Sequence, residues 1–255
     1  MGFSYPDWRG PFYPQGLKSG HWLEFYARYF NTVELDTTFY AAPTAERVRH
    51  WRSATPEDFR FCLKTPRAIT HDNPLAAGFD AMRSFVDVCR GFGSKLGPIL
   101  IQFAPSFEAS QFDAVDRFLT ALPEDARFAV EFRHRSWGTA ETLEMIHRHR
   151  CAFVAAEYRS RPARAFATAD FLYVRWIGEH DRYPTHEREI DDVSDSLAWW
   201  KRTIDAAAPK VASVWGFFNN DYAGYSIGTA NRLKRLIGMP VTEPARVAGE
   251  PMLFG

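Results

Sequence analysis

Seven short apolar segments of the chain read as β-strands, and along them polar residues recur with the period of two expected of a strand. They are TVELDTTFY (32–40), FRFCLKTP (59–66), GPILIQF (97–103), RFAVEFR (127–133), CAFVAAE (151–157), FLYVRWIG (171–178) and SVWGFFNN (213–220). Segments of helical period lie between them. LKSGHWLEFYARYF sets Leu17, Trp22, Phe25, Tyr26 and Tyr29 on one stripe, and PTAERVRHWRSA opens on Thr44 as a cap. AGFDAMRSFVDVCRGFG, SQFDAVDRFLTALP, WGTAETLEMIHRHR, DVSDSLAWWKRTIDAAAP and GTANRLKRLIG follow in turn. Strands alternating with helices predict βαβ units around a parallel sheet. With residues 1–4 (MGFS) as the stump of one more strand, the pattern predicts an α/β fold, a (β/α)8 barrel whose first strand is truncated or absent. Residues 1–255 read as one domain. An open doubly wound sheet would carry G-x-G-x-x-G after a strand; here GFGSKLG (91–97) precedes one and reads as a helix stop. Residues 158–170 (YRSRPARAFATAD) read as a loop over one end of the sheet.

The alternation also sorts the polar residues. In 32–40, Val33, Leu35, Thr37 and Phe39 point one way, while Glu34, Asp36, Thr38 and Tyr40 point the other. The same test leaves Lys64, Gln102, Glu131 with Arg133, and Tyr173 with Arg175 opposite the large apolar side chains, puts Glu157 at the end of its strand, and leaves one of Asn219 and Asn220 to point inward, of which Asn220 is taken for the ring. Each falls toward the C-terminal end of its strand, where barrel enzymes place their active sites. The expectation is a polar ring inside the barrel mouth. Its bland counterpart is a self-satisfied ion-pair network, with Glu34 or Asp36 on Lys64 and Glu131 on Arg175. Buried pairs stabilise poorly, because desolvation offsets most of the attraction.

Composition narrows the partners. Lys plus Arg and Asp plus Glu both number 31, so the formal charge is zero. A dedicated duplex binder normally shows a basic excess. Cys62, Cys89 and Cys151 have neither zinc-site spacing nor a disulfide pattern and read as small core residues. The sequence MGFSYPDWRG lacks the charged and apolar regions of a signal peptide, and no run approaches the roughly 18 apolar residues of a membrane span. A soluble, cytoplasmic protein is expected; the oligomeric state is left open.

The motifs SYPDWRGPFYP, NTVELDTTFYAAP, RFCLKTPRAITH, LGPILIQFAPSF, FAVEFRHRSW, LYVRWIG and WGFFNNDYAGYS, in order from Ser4 to about Ile237, resemble the successive motifs of the YecE-like family, domain of unknown function 72. The resemblance implies a TIM barrel with its site at the mouth, and no particular reaction. Typical members begin with a full first strand, where this chain has MGFS; they also carry a His before the glycine ending the seventh strand, where this chain has Ile177.

As chemistry, Glu34 and Asp36 lie about 7 Å apart along one face. With Glu131 and Glu157 they supply carboxylates for general acid/base work, and Lys64 joins Glu131, Glu34 and Asp36 as a catalytic candidate. Arg133 and Arg175 suit carboxylate or phosphate contacts, and Gln102, Asn220, Tyr40, Tyr5 and Trp8 complete the substrate-binding set. Gly224, Ser226, Gly228 and Thr229 precede a helix, the place where barrels often hold phosphate. His71, His134 and Glu157 are weak candidates for a divalent metal; no HxH or HExxH supports them and no cofactor is evident. The leading expectation is a hydrolase or isomerase acting on a small anionic substrate, such as a sugar phosphate or phosphodiester. The second is a nucleic-acid-binding module using Lys64, Arg133, Arg175, the RSRPAR loop and rim aromatics; zero net charge and acids within the ring favour the enzyme.

Overall fold

The computed structural model describes residues 1–72, 75, 78–158 and 164–244. Eight strands, parallel within their sheets, are present among these residues: β1 Thr32–Leu35, β2 Arg60–Lys64, β3 Leu96–Gln102, β4 Phe128–Glu131, β5 Ala152–Phe153, β6 Ala155–Tyr158, β7 Phe171–Gly178 and β8 Ser213–Phe218; they alternate with helices except from β5 to β7, where no helix intervenes among the described residues. The helices are α1 Trp22–Tyr26, α2 Ala45–Ser53, α3 Gly78–Arg90, α4 Phe112–Thr120, α5 Ala140–Arg148, α6 Ser194–Ala207 and α7 Ser226–Leu236. Local chemistry starts several of them where the sequence indicated. The Thr44 side chain accepts from the Arg47 N–H at the head of α2, and Thr139 does the same for Thr142 at α5.

The strands form a five-stranded sheet, β1 to β5 in order, and a three-stranded sheet, β6 to β8. The ladder breaks at Val154, but the Val154 N–H still donates to the Val130 carbonyl at 2.9 Å, so the chain leaves β5 without leaving β4. Parity holds throughout the sheets. Val33, Leu35, Phe61, Leu63, Ile99, Ile101, Phe128 and Val130 join the helix-side core. Leu172, Val174 and Trp176 pack with α6 through Leu197, Trp200 and Ile204. The opposite faces of both sheets share a second core of Cys62, Leu100, Ala129, Ala152, Val154, Tyr173 and Phe217. Strands buried on both faces are typical of parallel sheets covered by helices.

Residues 1–4 are not a strand. Instead Met1 and Gly2 bridge the two sheet ends: the Met1 amine donates to the Phe218 carbonyl, and the Gly2 N–H donates to the Glu34 carbonyl at 2.8 Å. Among the described residues no ladder joins β8 to β1. A cavity of about 350 Å³ lies there, walled by Tyr26, Phe30, Trp215, Ile227 and Leu233 among others. No helix among the described residues is long and apolar enough to cross a membrane.

Candidate functional site

Above the shared inner core, the next residue on the inward parity of each strand is polar. Glu34, Gln102, Glu131 and Arg175 are each 3% exposed or less. Arg175 is the hub. Its Nε donates to Glu34 Oε2 at 3.0 Å and its Nη2 to Glu34 Oε1 at 2.8 Å, while Nη1 donates to Glu131 Oε2 at 2.5 Å and to Gln102 Oε1 at 3.2 Å. The Tyr173 hydroxyl donates to Glu34 Oε2 at 2.7 Å. Arg133, one level higher, donates from Nε to Glu131 Oε1 at 3.0 Å and from Nη2 to Gln102 at 3.0 Å. The Tyr158 hydroxyl donates to Glu131 Oε1. The Gln102 carbonyl oxygen therefore serves both guanidiniums.

Electrostatics follow from this wiring. Burial pushes the Glu131 carboxyl up, but Arg175 and Arg133 outweigh it and bring the group down to about 2. Glu131 is therefore an ionised carboxylate at neutral pH, with no proton to give. Burial weakens Arg175's hold on its proton, and Glu34 and Glu131 more than restore it. The network matches the self-paired reading of Glu131 on Arg175. The expected partner of Glu34 changes, however, from Lys64 to Arg175.

Lys64 closes β2, and its Nζ lies 3.8 Å from the centre of the Phe39 ring. Its side-chain amine has no hydrogen bond or ion pair among the described residues. Burial, and then the positive charge of Arg175, lower its amine to about 8 against the pull of Glu131. The His71 ring also lies against Phe39, 4.7 Å between centroids; burial and the Lys64 charge lower it to about 4.

Several expected members lie elsewhere. The strand alternation stops at Leu35, because Asp36–Phe39 winds into a 3-10 turn that Thr38 ties down by donating to the Leu35 and Lys64 carbonyls. Asp36 consequently sits beside the Met1 amine and the Tyr5 phenol, and Tyr40 turns out to solvent at 83% exposure. Tyr5 donates to the Met1 carbonyl at 3.0 Å. Trp8 is 1% exposed and packs among Tyr5, Phe12 and Tyr13, which makes it a core residue. Glu157 faces α6, where it accepts from Ser196 and Trp200, and it also accepts from Tyr222 in the turn after β8. Tyr158, the next residue, takes the inward place. Asn220 is buried and its Oδ1 accepts from the Ser226 N–H at 3.0 Å, capping α7.

The glycine-rich entry to α7 already has an anion of its own. Glu189 accepts from Thr229 at 2.7 Å and from Arg232 at 3.2 Å, so this turn is occupied by the protein's own carboxylate. The metal candidates have separate partners: His71 pairs with Thr70, His134 with Ser136, and Glu157 with the α6 set. Among the described residues no group of three or more His, Cys, Asp or Glu is arranged to hold a metal. Residues 159–163 of the RSRPAR loop lie outside the described residues. Sequence reasoning passed over Tyr158 as a site residue, although Ala152, Val154, Ala156 and Tyr158 share one parity.

Comparison with known proteins identifies the family and the fold. The profile of the family described as "Protein of unknown function DUF72" matches residues 1–251. UPF0759 protein YecE of Escherichia coli K12 is 31% identical over 225 residues, which is 78% of this chain and 81% of that protein. UPF0759 protein YunF of Bacillus subtilis 168 is 32% identical over 132 residues, 49% of this chain and 47% of that protein. The crystal structure of a DUF72 family protein from Thermotoga maritima MSB8 superposes with a TM-score of 0.78 at 27% identity, covering 93% of this chain and 96% of that one. One from Enterococcus faecalis V583 gives a TM-score of 0.76 at 19% identity, covering 95% of each chain, a likeness of fold. The chain belongs to the DUF72 family of proteins of unknown function.

Proposed function

We propose that this protein is a cytoplasmic enzyme, a hydrolase or isomerase, acting on a small anionic substrate such as a sugar phosphate or phosphodiester at the C-terminal ends of its strands. In this reading the eight strands, joined by Met1 and Gly2, act as one (β/α)8 barrel with the Arg175 network as the floor of its mouth. One observation carries the proposal. Among the described residues, two carboxylates, Glu34 and Glu131, pair with two guanidiniums, Arg175 and Arg133, and the Lys64 amine is a further positive charge beside them. A half-buried cation above a neutral floor favours an anion, and Arg133, 24% exposed, can offer it a planar donor face. Glu131 then serves as an organiser, fixing Arg133, Arg175 and Tyr158 in place. Its held charge supports this role over that of a general acid. The three free, buried cysteines fit a reducing compartment.

The test is calorimetric titration with inorganic phosphate. The wild-type chain should bind, and Lys64→Met should weaken binding about tenfold, the equivalent of roughly 1.4 kcal/mol for one charged contact. Equal affinity in the variant, or no binding by the wild type, removes the proposal.

A further inference from the structure

Lys95 and Lys64 are both drawn into the fold, in opposite ways. Lys95 is 4% exposed and donates to the carbonyls of Arg52 at 2.8 Å and Thr55 at 2.7 Å, as a structural ammonium should. Lys64 receives no such support. The nearby carboxylates are taken: Glu34 by Arg175 and Tyr173, Glu131 by Arg175, Arg133 and Tyr158. Phe39 covers one side of the Nζ at 3.8 Å. The backbone at this position is fixed, since the Lys64 carbonyl accepts from Thr38 at 2.6 Å and the Thr65 N–H donates to the Leu100 carbonyl at 2.8 Å. The Phe39 face attracts the ammonium form, but burial and the Arg175 charge outweigh it. A lysine held at its backbone, desolvated and without a counter-ion bonded to its amine is the arrangement that yields a nucleophilic amine.

We propose that Lys64 is the nucleophile of the site, condensing with the carbonyl carbon of a small substrate that also carries a phosphate or carboxylate. The neutral amine donates its lone pair to the carbonyl carbon, giving a carbinolamine. The carbinolamine oxygen takes up a proton and departs as water, and the C=N bond forms. The balance is one amine, one carbonyl compound and one proton giving one protonated imine and one water, with no oxidant or reductant. The protonated imine carries the same charge as the ammonium it replaces, so the match to the substrate's anion survives condensation. The neutral fraction needed is supplied near physiological pH, because burial and Arg175 bring the amine to about 8. The inference rests on the mouth as an anion site and narrows the substrate to an anionic carbonyl compound, which favours isomerisation or carbon–carbon bond chemistry over phosphodiester hydrolysis.

The experiment traps the imine in the full chain. The protein is incubated with dihydroxyacetone phosphate and sodium cyanoborohydride, digested, and mapped by mass spectrometry. Neutral dihydroxyacetone is run in parallel, and inorganic phosphate binding is measured separately by calorimetry. The reduced adduct should concentrate on Lys64, at least roughly tenfold above any other lysine. It should fall with dihydroxyacetone, fall when phosphate is added in excess, and vanish from that position in Lys64→Arg. Adducts spread evenly over the surface lysines overturn the proposal. So does a Lys64 adduct that forms equally with dihydroxyacetone, since the anion would then play no part. If phosphate binds but Lys64 is not labelled, the nucleophile assignment falls while the anion site stands; if phosphate neither binds nor protects, both fall. Should Lys64→Arg fail to fold, the distribution of label in the wild-type chain decides alone.

Discussion

At the scale of single residues, Arg175 shows how a costly group is retained. An ion taken out of water loses several kcal/mol of hydration, which attraction repays only when its donors are well placed. Nε and both Nη atoms of Arg175 have acceptors on three other strands. Removing the hub leaves the buried Glu34 without a salt-bridged cation and Glu131 with Arg133 alone, among the described residues. Arg175→Met should therefore cost roughly 3–5 kcal/mol, read as a lower urea midpoint, whereas Tyr173→Phe, which removes one hydroxyl donor, should cost about 1 kcal/mol. Equal losses would mean that Arg175 is not the hub. Glu131 adds a pH dependence. It stays ionised in the native state down to about 2, while the unfolded chain takes up its proton near 4.5. The unfolded state thus binds protons first as the solution is acidified. Its contribution is whole above pH 4.5 and drains away as pH falls toward 2. Melting temperature measured across that window should fall less steeply for Glu131→Gln than for the wild type; parallel curves would show that the carboxylate is not held low.

At the scale of elements, the end of β7 is fixed by a close approach of backbones. Gly178 has φ of +75°, and a Cβ there would lie 2.0 Å from the Asp221 carbonyl oxygen. Gly178→Ala should cost roughly 2–4 kcal/mol, from left-handed backbone strain plus displacement of the Asn220–Tyr222 turn. A near-native midpoint in chemical denaturation would refute that packing. The same element scale shows what the sequence could disclose. Inside a strand the period of two is rigid and both faces are buried, so the inward places of Glu34, Lys64, Gln102, Glu131 and Arg175 could be read from neighbours alone. Past the last ladder bond the rule lapses. Asp36 and Tyr40 were misplaced because DTTF, rich in residues that bond their own backbone, coils after Leu35. Glu157 was misplaced because its charge was weighed above its parity with Ala155, which faces the helices. Which guanidinium meets which carboxylate could not be read at all, since Glu34 and Arg175 are 141 residues apart and their contact depends on the closure of the whole fold.

At the scale of the whole molecule, two sheets of unequal size share one inner core, and the three cysteines are distributed unevenly over them. Cys62 lies on β2 facing inward, Cys89 lies on α3, and Cys151 immediately precedes β5. All three thiols are free and buried, and all belong to the five-stranded part; none lies on β6, β7, β8 or the helices that cover them. Nature has thereby placed three stopwatches in one half of the protein and left the other half unclocked. A thiol reagent too large to reach them in the closed state reacts only during excursions that expose them; Cys89 and Cys151 report on the five-stranded part, while Cys62, packed against Tyr173 and Phe217, also reports on separation of the two sheets. Matching rates at all three positions, falling together as urea is withdrawn, would mean that β1 to β5 open as a unit. A faster Cys151 would instead locate the first tear at the break beside Val154.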